Sequence, residues 1–382
     1  MTDVDLSGVQ TAPKQSRPRA ASRLTKLVAS RGFQKWAARF PLTRRIVRSE
    51  GEAMFGLVAG FCHSQILQAL VEFKIPQMLL QHELTADALA QEADAPLDRM
   101  HVLLSGAVAI GILKRRKSGR YALTTRGAAL AGVPGLAGMI AHHDVLYLDL
   151  ADPVAFFRGE VETELAEFWP YVFGADGATD SHVTATYSQL MADSQVLVAE
   201  DTLASVSMAG VRRIMDVGGG SGAFLGAVAA AYPTLQMTLF DLPAVVPTAQ
   251  ARFDNMGLAD RVTIAPGSFR DDPLPQGADL ISLVRVLYDH SDETVTALLR
   301  AVYDALPDGG SVLISEPMTG GDRPERAGDA YFALYCMAMR TGKARSADEI
   351  AGFLDRAGFV DLQRPKPRRP FITSIVSGVK SS

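Results

Sequence analysis

Short apolar runs alternate with stretches of helical periodicity in the second half of the chain. The runs cover residues 214–217, 236–240, 262–265, 280–284, 311–315 and 372–376. This alternation is typical of a mostly parallel β-sheet with helices on both faces. It predicts one α/β domain over residues 211–382.

The first half is helical in pattern, with apolar residues spaced by three and four between residues 51 and 131. Two of its helical patterns, at 84–90 and 98–104, precede a short hairpin pattern. Helix, turn, helix and hairpin is the order of elements in a winged helix. Because Asp87 and Glu92 put negative charge where phosphates would approach, we expect this domain to serve dimerisation rather than DNA binding.

Residues 132–210 are helical in pattern and rich in aromatic side chains. Two interpretations stay open for this stretch. Its rings would line an apolar substrate pocket, or they would simply form core between two domains. We treat it as a helical linker and pocket region.

The first 50 residues differ from the rest in charge and in apolar content. Residues 1–22 carry too few apolar side chains to fold alone, which predicts a flexible leader. From Lys14 to Arg48 there are eleven lysines or arginines and no acid, interleaved with apolar residues in the pattern of basic amphipathic helices. Three interpretations stay open: a solvated face packed on the protein, an anchor on an anionic bilayer, and a nucleic-acid contact.

Net charge, cysteine content and the absence of targeting patterns further limit the class of protein that the sequence encodes. The formal net charge is −4, so no global attraction draws the chain to nucleic acid. Cys62 and Cys336 lie far apart among apolar neighbours, which predicts buried free thiols in a reducing cytoplasm. The sequence has no signal-peptide pattern, no uncharged apolar run of membrane-spanning length and no metal-ligand spacing. We therefore expect a cytoplasmic protein without a metal.

The most specific motif is the glycine-rich run 216–222, placed between a predicted strand and a predicted helix. Gly218, Gly219 and Gly220 would let the backbone turn tightly and approach a ligand with no Cβ in the way. About twenty residues later the second strand ends at Asp241, whose carboxylate can accept both hydroxyls of a ribose. Together the loop and the acid predict a nucleoside site.

Three kinds of site fit this motif. In a dinucleotide-binding loop Ala223 would occupy the third glycine position, with which it is only weakly compatible, and the carboxylate of Asp216 would repel the pyrophosphate. The same carboxylate can orient the ammonium group of a sulfonium ligand, which favours a site for an adenosyl-sulfonium compound. A strand-to-helix turn without any ligand is the third interpretation.

Further candidate residues follow the ends of the later strands, at the edge where ligands of open α/β sheets collect. The acids Asp271 and Asp272, beyond the third strand, suit adenine recognition, and the fourth and fifth strands deliver residues 285–290 and Glu316. The candidate cofactor contacts are Asp216, Gly218, Gly219, Gly220, Asp241, Leu242, Ser268, Phe269 and Arg285.

Residues 216–222, 240–243, 271–275, 285–293 and 357–359 form a set of motifs within a region of about residues 52–380. Together they resemble the plant-type small-molecule O-methyltransferases. The resemblance implies a winged-helix dimerisation domain, a Rossmann-like domain that binds S-adenosylmethionine without a metal, and a homodimer.

A second set of segments refines the resemblance, namely residues 142–143, 149–156, 168–174, 187–195 and 369–374. These are similar to the carotenoid O-methyltransferases of purple bacteria, which act on hydroxyneurosporene and demethylspheroidene. The similarity implies methylation of the tertiary 1-hydroxyl of an acyclic carotenoid, with S-adenosylhomocysteine as the other product. Because such a polyene resides in the bilayer, it also favours a peripheral contact of residues 14–48 with the photosynthetic membrane.

Other functions remain as alternatives. One is methylation of another small hydrophobic hydroxylated or phenolic metabolite. Two more distant alternatives are a winged-helix regulator that binds a nucleoside ligand and an NAD-dependent oxidoreductase.

The family resemblance also assigns candidate catalytic residues, and there the sequence departs from the family pattern. Relatives use a histidine followed by Asp and Trp as the base, whereas here Tyr288 stands at the histidine position and His290 at the tryptophan position. A tertiary alcohol hardly ionises at pH 7, so a base that takes its proton late in the reaction would help. His290 is our first candidate base and Tyr288 the second, with Asp289 adjusting the charge of either.

Acids and pocket residues complete the set that the resemblance implies. Glu316 matches one of two acids that flank the family's histidine, and Ala344 occupies the place of the other. The candidate substrate contacts are His142, His143, Tyr187, Met191 and Phe332.

Overall fold

The computed structural model of the chain describes residues 22–168 and 181–381, with their side chains except at 167–168 and 181–192. Outside the described residues lie nearly all of the predicted leader and the aromatic-rich segment 169–173. The side chains of Tyr187 and Met191 also lie outside them. The chain divides into two compact units, the first ending at Ile66 and the second beginning at Leu67.

The first unit contains three short helices, α1 (Arg23–Val28), α2 (Arg31–Arg39) and α3 (Arg44–Val58). The hydroxyl of Ser30 caps α2 by accepting the N–H of Phe33 at 3.3 Å. Apolar rings recur every three or four residues along α2, so Trp36 stacks on Phe40 with ring centroids 4.9 Å apart. This helix is therefore amphipathic, as its sequence predicts.

A helical bundle with a small hairpin follows helix α4 (Gly60–Glu72). Its elements are α5 (Ile75–Gln81), α6 (Ala86–Glu92), α7 (Leu97–Ala109), β1 (Leu113–Arg115), β2 (Tyr121–Leu123) and α8 (Thr125–Gly132). Leu89 of α6 and Leu104 of α7 are fully buried, and β1 pairs antiparallel with β2. The predicted winged helix is thus confirmed.

Five further helices connect this bundle to the sheet. They are α9 (Leu136–Ala141), α10 (His143–Asp149), α11 (Pro153–Phe157), α12 (Glu164–Phe168) and α13 (Ser181–Ser205). The carboxylate of Asp149 is buried and accepts the backbone N–H groups of Glu164 and Leu165 at 2.7 and 3.1 Å. It thereby ties the start of α12 to the end of α10.

The second half of the chain forms a seven-stranded sheet in the order β5-β4-β3-β6-β7-β9-β8. The strands are β3 (Arg213–Val217), β4 (Gln236–Asp241), β5 (Val262–Pro266), β6 (Leu280–Val284), β7 (Ser311–Glu316), β8 (Phe359–Gln363) and β9 (Ser374–Lys380). The pairs among β3 to β7 are parallel, and β9 runs antiparallel to both of its neighbours. The predicted Rossmann-like sheet is therefore confirmed.

Helices cover both faces of this sheet. They are α14 (Ala223–Ala231), α15 (Val246–Asn255), α16 (Asp292–Ala305) and α18 (Ala347–Ala357). The remaining helix, α17 (Ala333–Ala338), packs against α10 and α12. Along β3, Met215 and Val217 pack into one apolar core with α16 and α18, whereas Ile214 packs into a second core with α14 and α15. The strand order reverses between β3 and β6, which opens a crevice at the carboxyl ends of the strands.

The two cysteines differ in solvent exposure, and the described helices differ in length and apolar content. Cys336 is buried as predicted, but Cys62, on α4, is exposed, so the prediction was wrong for that thiol. Among the described helices none is by itself long and apolar enough to span a bilayer. Only α3 and α4 taken together meet that length and composition, and they are bent by 53° where they join.

Candidate functional site

The glycine-rich loop lies between β3 and α14, at the reversal of strand order. Gly222 has φ of +72°, and a Cβ there would lie 2.3 Å from the ring of Phe253. Gly220 also has a positive φ, +57°, but a Cβ there would meet no atom within 4 Å. Gly222 is therefore required by packing, whereas Gly220 faces open space at the carboxyl edge of the sheet.

Asp241, at the end of β4, is bonded to this loop through its carboxylate. One oxygen accepts the backbone N–H of Gly220 at 2.7 Å and the other accepts that of Leu242 at 2.7 Å. Burial raises the pKa of Asp241, and the two N–H donors oppose that rise. Because each carboxylate oxygen has a second lone pair, Asp241 can still accept two hydroxyl groups from a ligand.

Asp216 lies beneath the loop and is almost completely buried. Its Oδ1 accepts a 2.6 Å hydrogen bond from the hydroxyl of Ser282, while within the described part of the chain its Oδ2 has no partner. A Cβ added to Gly219 would lie 2.7 Å from that free oxygen. Burial raises the pKa of Asp216 to about 7. A cationic group placed over Gly219 would supply both the missing partner and the missing counter-charge.

The turn after β5 carries Ser268 and Phe269. The hydroxyl and the backbone N–H of Ser268 donate to Asp271 and Asp272, respectively, each at 2.9 Å. The two acids therefore fix the shape of this turn. Phe269 presents its ring to the edge of the His290 ring, with centroids 5.2 Å apart.

Arg285 follows β6 in a left-handed conformation, with φ of +59°. Its guanidinium donates to the hydroxyl of Ser194 at 2.6 Å and to the hydroxyl of Tyr288 at 3.2 Å. Tyr288 is buried, and that burial raises the pKa of its phenol. Arg285 thus joins α13 to the 3-10 turn Leu287–Asp289, which holds the candidate catalytic residues.

Glu316, at the end of β7, supports this turn from below. Its Oε2 accepts the backbone N–H groups of Leu287 and Tyr288 at 2.9 and 3.2 Å. Burial raises the pKa of Glu316 to about 7, and burial beside Glu316 raises the pKa of Asp289 well above its usual range. The acid therefore acts on the backbone of the turn and lies below the reactive edge.

The ring of His290 faces the cation of Arg270, whose Nη2 lies 3.2 Å from Nδ1. Burial, together with the positive charges of Arg270 and Arg345, lowers the pKa of His290 to about 4. Arg345 is itself fully buried and donates to the carbonyl oxygen of His290 at 2.8 Å. In the family pattern the second acid occupies the position of Ala344. Here a cation, Arg345, stands at the next position.

Each of the two adjacent histidines forms a hydrogen bond with a tyrosine from a later segment of the chain. His142 Nε2 lies 3.0 Å from the hydroxyl of Tyr335, and His143 Nε2 lies 2.6 Å from that of Tyr331. Burial lowers the pKa of His142 to about 4 and lowers that of His143 as well. Phe332 lies edge-on to the Tyr331 ring at 4.9 Å, so three of the candidate substrate residues come together here.

The structure thus brings two groups of candidates to one edge of the sheet. The first group, around the loop and Asp241, can hold a nucleoside with a cationic tail. The second, around Tyr288 and the histidines, offers buried phenols and neutral imidazoles that can exchange protons. Sequence reasoning missed Tyr331, because its partner His143 lies 188 positions away and no local spacing links the two.

Comparison with known protein families gives two matches. Residues 147–360 match the model of an O-methyltransferase domain. Residues 55–132 match the model of an O-methyltransferase dimerisation domain. Together these matches include the winged helix and the edge of the sheet described above.

Individual proteins are similar over nearly the whole chain. A demethylspheroidene O-methyltransferase of Cereibacter sphaeroides is 55% identical, over 94% of this chain and 96% of its own. The protein of the same name from Rhodobacter capsulatus is 50% identical, over 96% of this chain and 91% of its own. Human N-acetylserotonin methyltransferase, solved in complex with SAM, superposes with a TM-score of 0.72 at 25% identity, over 87% of this chain and 98% of that one.

Proposed function

Because the chain belongs to the O-methyltransferase family, we propose that it methylates the tertiary 1-hydroxyl of acyclic carotenoids of the demethylspheroidene and hydroxyneurosporene type. The methyl donor in this proposal is S-adenosylmethionine. The observation that carries the proposal is the near full-length similarity to two enzymes with that name, joined to a site that fits a nucleoside with a cationic tail.

The residues around the glycine loop fit the methyl donor. Asp241 would accept the ribose hydroxyls, and the free oxygen of Asp216 would accept the ammonium group of the methionine part. Gly218, Gly219 and Gly220 would let the backbone lie against the ligand, with Leu242, Ser268, Phe269 and Arg285 along the same edge. When bound, this cofactor supplies a methyl group on a positively charged sulfur.

The protein's main contribution to such a transfer is alignment of the acceptor oxygen and exclusion of water. For Tyr288 and His290 the geometry favours a positioning role. The phenol of Tyr288 is hydrogen-bonded to Arg285, and the imidazole of His290 faces Arg270. A role of His290 as base would require its ring to rotate away from that cation. Full turnover by a His290→Ala variant would exclude it.

Calorimetry and a turnover assay test the proposal. We expect S-adenosylmethionine and S-adenosylhomocysteine to bind and NADH not to bind. With labelled donor and a detergent-dispersed 1-hydroxycarotenoid, we expect label in the carotenoid. Transfer of the labelled methyl group to phenolic acceptors alone would support the alternative substrate class. A gel shift with duplex DNA would support the alternative of a winged-helix regulator.

We propose a homodimer as the functional assembly. The matched dimerisation region begins within a stretch where α3 and α4 expose large apolar side chains, which are Met54, Phe55, Leu57, Val58 and Phe61. Exposed apolar patches of this kind mark interaction sites. Light scattering on the full chain should give twice the monomer mass, and Phe55→Asp should shift it toward the monomer.

We also propose that the first unit contacts the surface of an anionic membrane. On α2, Arg31, Lys35 and Arg39 lie along one side, and the partly exposed rings of Trp36 and Phe40 lie along another. Basic groups on one side of a helix and aromatic groups on another favour an interfacial position.

Trp36 provides the test, because Trp169 is the only other tryptophan in the chain. In a Trp169→Phe background we expect vesicles with anionic lipid to shift the Trp36 emission to the blue and zwitterionic vesicles to have no effect. The double change Lys35→Glu and Arg39→Glu should abolish the shift, whereas Lys114→Glu and Lys117→Glu in the hairpin should not. An unchanged emission with anionic vesicles would exclude the contact.

A further inference from the structure

Among the residues whose side chains the structure describes, the pairing of His143 with Tyr331 is the closest contact between titratable groups on the substrate side of the site. His143 begins α10, and Tyr331 lies in the π-helical segment Arg326–Phe332. Their Nε2 and hydroxyl oxygen are 2.6 Å apart, and their rings meet at 67° with centroids 5.5 Å apart. The two side chains therefore form a short hydrogen bond between residues separated by 188 positions.

Several contacts place this pair at the same edge of the sheet as the turn after β6. Tyr331 lies close enough to Arg285 for the guanidinium to lower the pKa of the phenol, although burial raises it to about 12 overall. The segment after α17 is bonded to the turn itself, because Lys343 N–H donates to the carbonyl of Tyr288 at 2.8 Å and Thr341 hydroxyl to that of Asp289 at 3.0 Å. Tyr331 is thus near the reactive edge and is fixed relative to it.

The neighbours of His143 favour a neutral imidazole in the free protein. Burial lowers its pKa, and the nearby carboxylate of Asp144 raises it. Within the described part of the chain, the other titratable groups facing the pair are His142, Tyr147 and, through Tyr331, Arg285. A neutral imidazole with Nε2 directed at a phenol can accept that phenol's proton.

The neighbouring pair, His142 with Tyr335, has a different setting. Its atoms are farther apart, at 3.0 Å. Tyr335 packs against an apolar cluster that contains Leu146, Phe156 and Leu165, and so it belongs to the core between α10, α12 and α17. This pair joins helices, which makes Tyr335 a matched control for Tyr331.

We propose that Tyr331 and His143 form the proton relay that deprotonates the acceptor hydroxyl. The proposal rests on the proposed function and names the base that it needs. As the acceptor oxygen bonds to the methyl carbon and the bond from that carbon to sulfur breaks, the hydroxyl proton passes to the oxygen of Tyr331. The phenolic proton of Tyr331 passes at the same time to Nε2 of His143, and the imidazolium later releases a proton to water.

The relay requires one tautomer of His143, which can be measured without turnover. Nε2 must carry no proton in the free protein, so nitrogen NMR of labelled protein should show an acceptor at Nε2 and a proton at Nδ1. His143→Gln identifies the signal. In Tyr331→Phe the pKa of His143 should rise, because the neutral imidazole loses its donor. A proton on Nε2 would overturn the relay, since that atom could not accept another.

Kinetics give the second test, on the full chain with S-adenosylmethionine and a dispersed hydroxycarotenoid. Tyr331→Phe and His143→Gln should each lower kcat about 100-fold at unchanged KM, within the usual contribution of a general base. Both should flatten the acidic limb of the pH profile of kcat. Tyr335→Phe, which removes an equivalent hydroxyl, should keep kcat within about twofold and keep the pH profile.

Calorimetry separates failure of the relay from failure of the proposed function. Each variant should bind S-adenosylhomocysteine as the parent chain does and melt at a similar temperature. If the parent binds and turns over while Tyr331→Phe keeps its kcat, or Tyr335→Phe loses as much, the relay is wrong. If the parent itself neither binds the cofactor nor methylates any carotenoid, the proposed function fails.

Discussion

The carboxylate of Asp241 accepts the backbone N–H of Gly220 at 2.7 Å. This bond spans the gap between the ends of β3 and β4, and it closes the glycine loop from the side of the second strand. The same oxygen atoms that would receive a ribose therefore also hold the backbone on which the ligand lies. Loop shape and ligand recognition depend on one side chain.

Asp241→Asn should weaken binding of S-adenosylhomocysteine by about 10- to 100-fold. The amide nitrogen must face either Gly220 N–H or Leu242 N–H, and two opposed donors leave one of them without a partner at a cost of roughly 1–3 kcal/mol. Calorimetry measures the change. Asp254→Asn, on the exposed side of α15, serves as control and should leave the affinity unchanged. Equal affinities for the two variants would contradict the assignment.

Gly220→Ala and Gly222→Ala should separate binding from stability. Both residues have positive φ, which costs an alanine about 1–2 kcal/mol. Only at Gly222 would the new methyl group also clash with Phe253, so that variant should lose roughly 2–5 kcal/mol in total.

Gly220→Ala should lose only the smaller amount but bind the cofactor poorly, because its methyl group occupies the ligand's side of the loop. Urea unfolding and calorimetry measure the two effects. Undiminished binding by Gly220→Ala would show that the ligand does not approach the loop there.

Asp216→Asn should change how stability depends on pH. Its folded-state pKa is about 7, against 3.8 for the unfolded chain, so the folded protein holds a proton that unfolding releases between those values. The stability that this group contributes is complete below about pH 4 and lost as pH rises through about 7.

Without its cofactor, the variant should therefore gain on the order of 4 kcal/mol over the parent between pH 4 and pH 8, which is the free energy that corresponds to moving a pKa from 3.8 to about 7. The difference between the two chains cancels the similar effect of Glu316, which both contain. A pH-independent difference would mean that Asp216 is already ionised in the folded protein.

Arg369→Ala should destabilise the fold by roughly 3–5 kcal/mol. The carboxylate of Asp201 on α13 is completely buried, and Arg369 donates to it from Nε at 3.1 Å and from Nη2 at 2.9 Å. Without the guanidinium this buried carboxylate loses its cation. Adding Asp201→Asn to the variant should restore part of the loss in thermal unfolding.

The exposed pair of Arg364 and Asp348 is the matched control, and Arg364→Ala should cost at most about 1 kcal/mol. A similar loss for both arginine variants would show that burial does not govern the effect.

The strands that could be predicted from the sequence are those buried on both faces. Residues 280–284 are apolar at all but one position, and the strand observed there, β6, has the predicted bounds. β8 was missed because it is an edge strand in which only Phe359 is buried, and Asp361 interrupts its pairing with φ of +50°. Exposed positions carry no apolar signal, so such a strand has no pattern to read.

The site was predictable only where its parts are close in sequence. The loop and Asp241 lie within one β-α-β unit, so their spacing alone brings them together. The partner of His143 lies 188 residues away and depends on how the segment around Tyr331 packs. The contact between Arg270 and His290 is a similar case, because it exists only once the turn after β5 has folded.

The position of β9 in the sheet has a consequence for synthesis of the protein. β9 lies between β7 and β8, although it follows both in the chain. Both rows of its backbone hydrogen bonds must wait until residues 374–380 have emerged from the ribosome. From the synthesis of residues 311–316 until that point β7 presents an open edge, so the nascent protein is exposed to wrong strand pairing during this late interval of its translation.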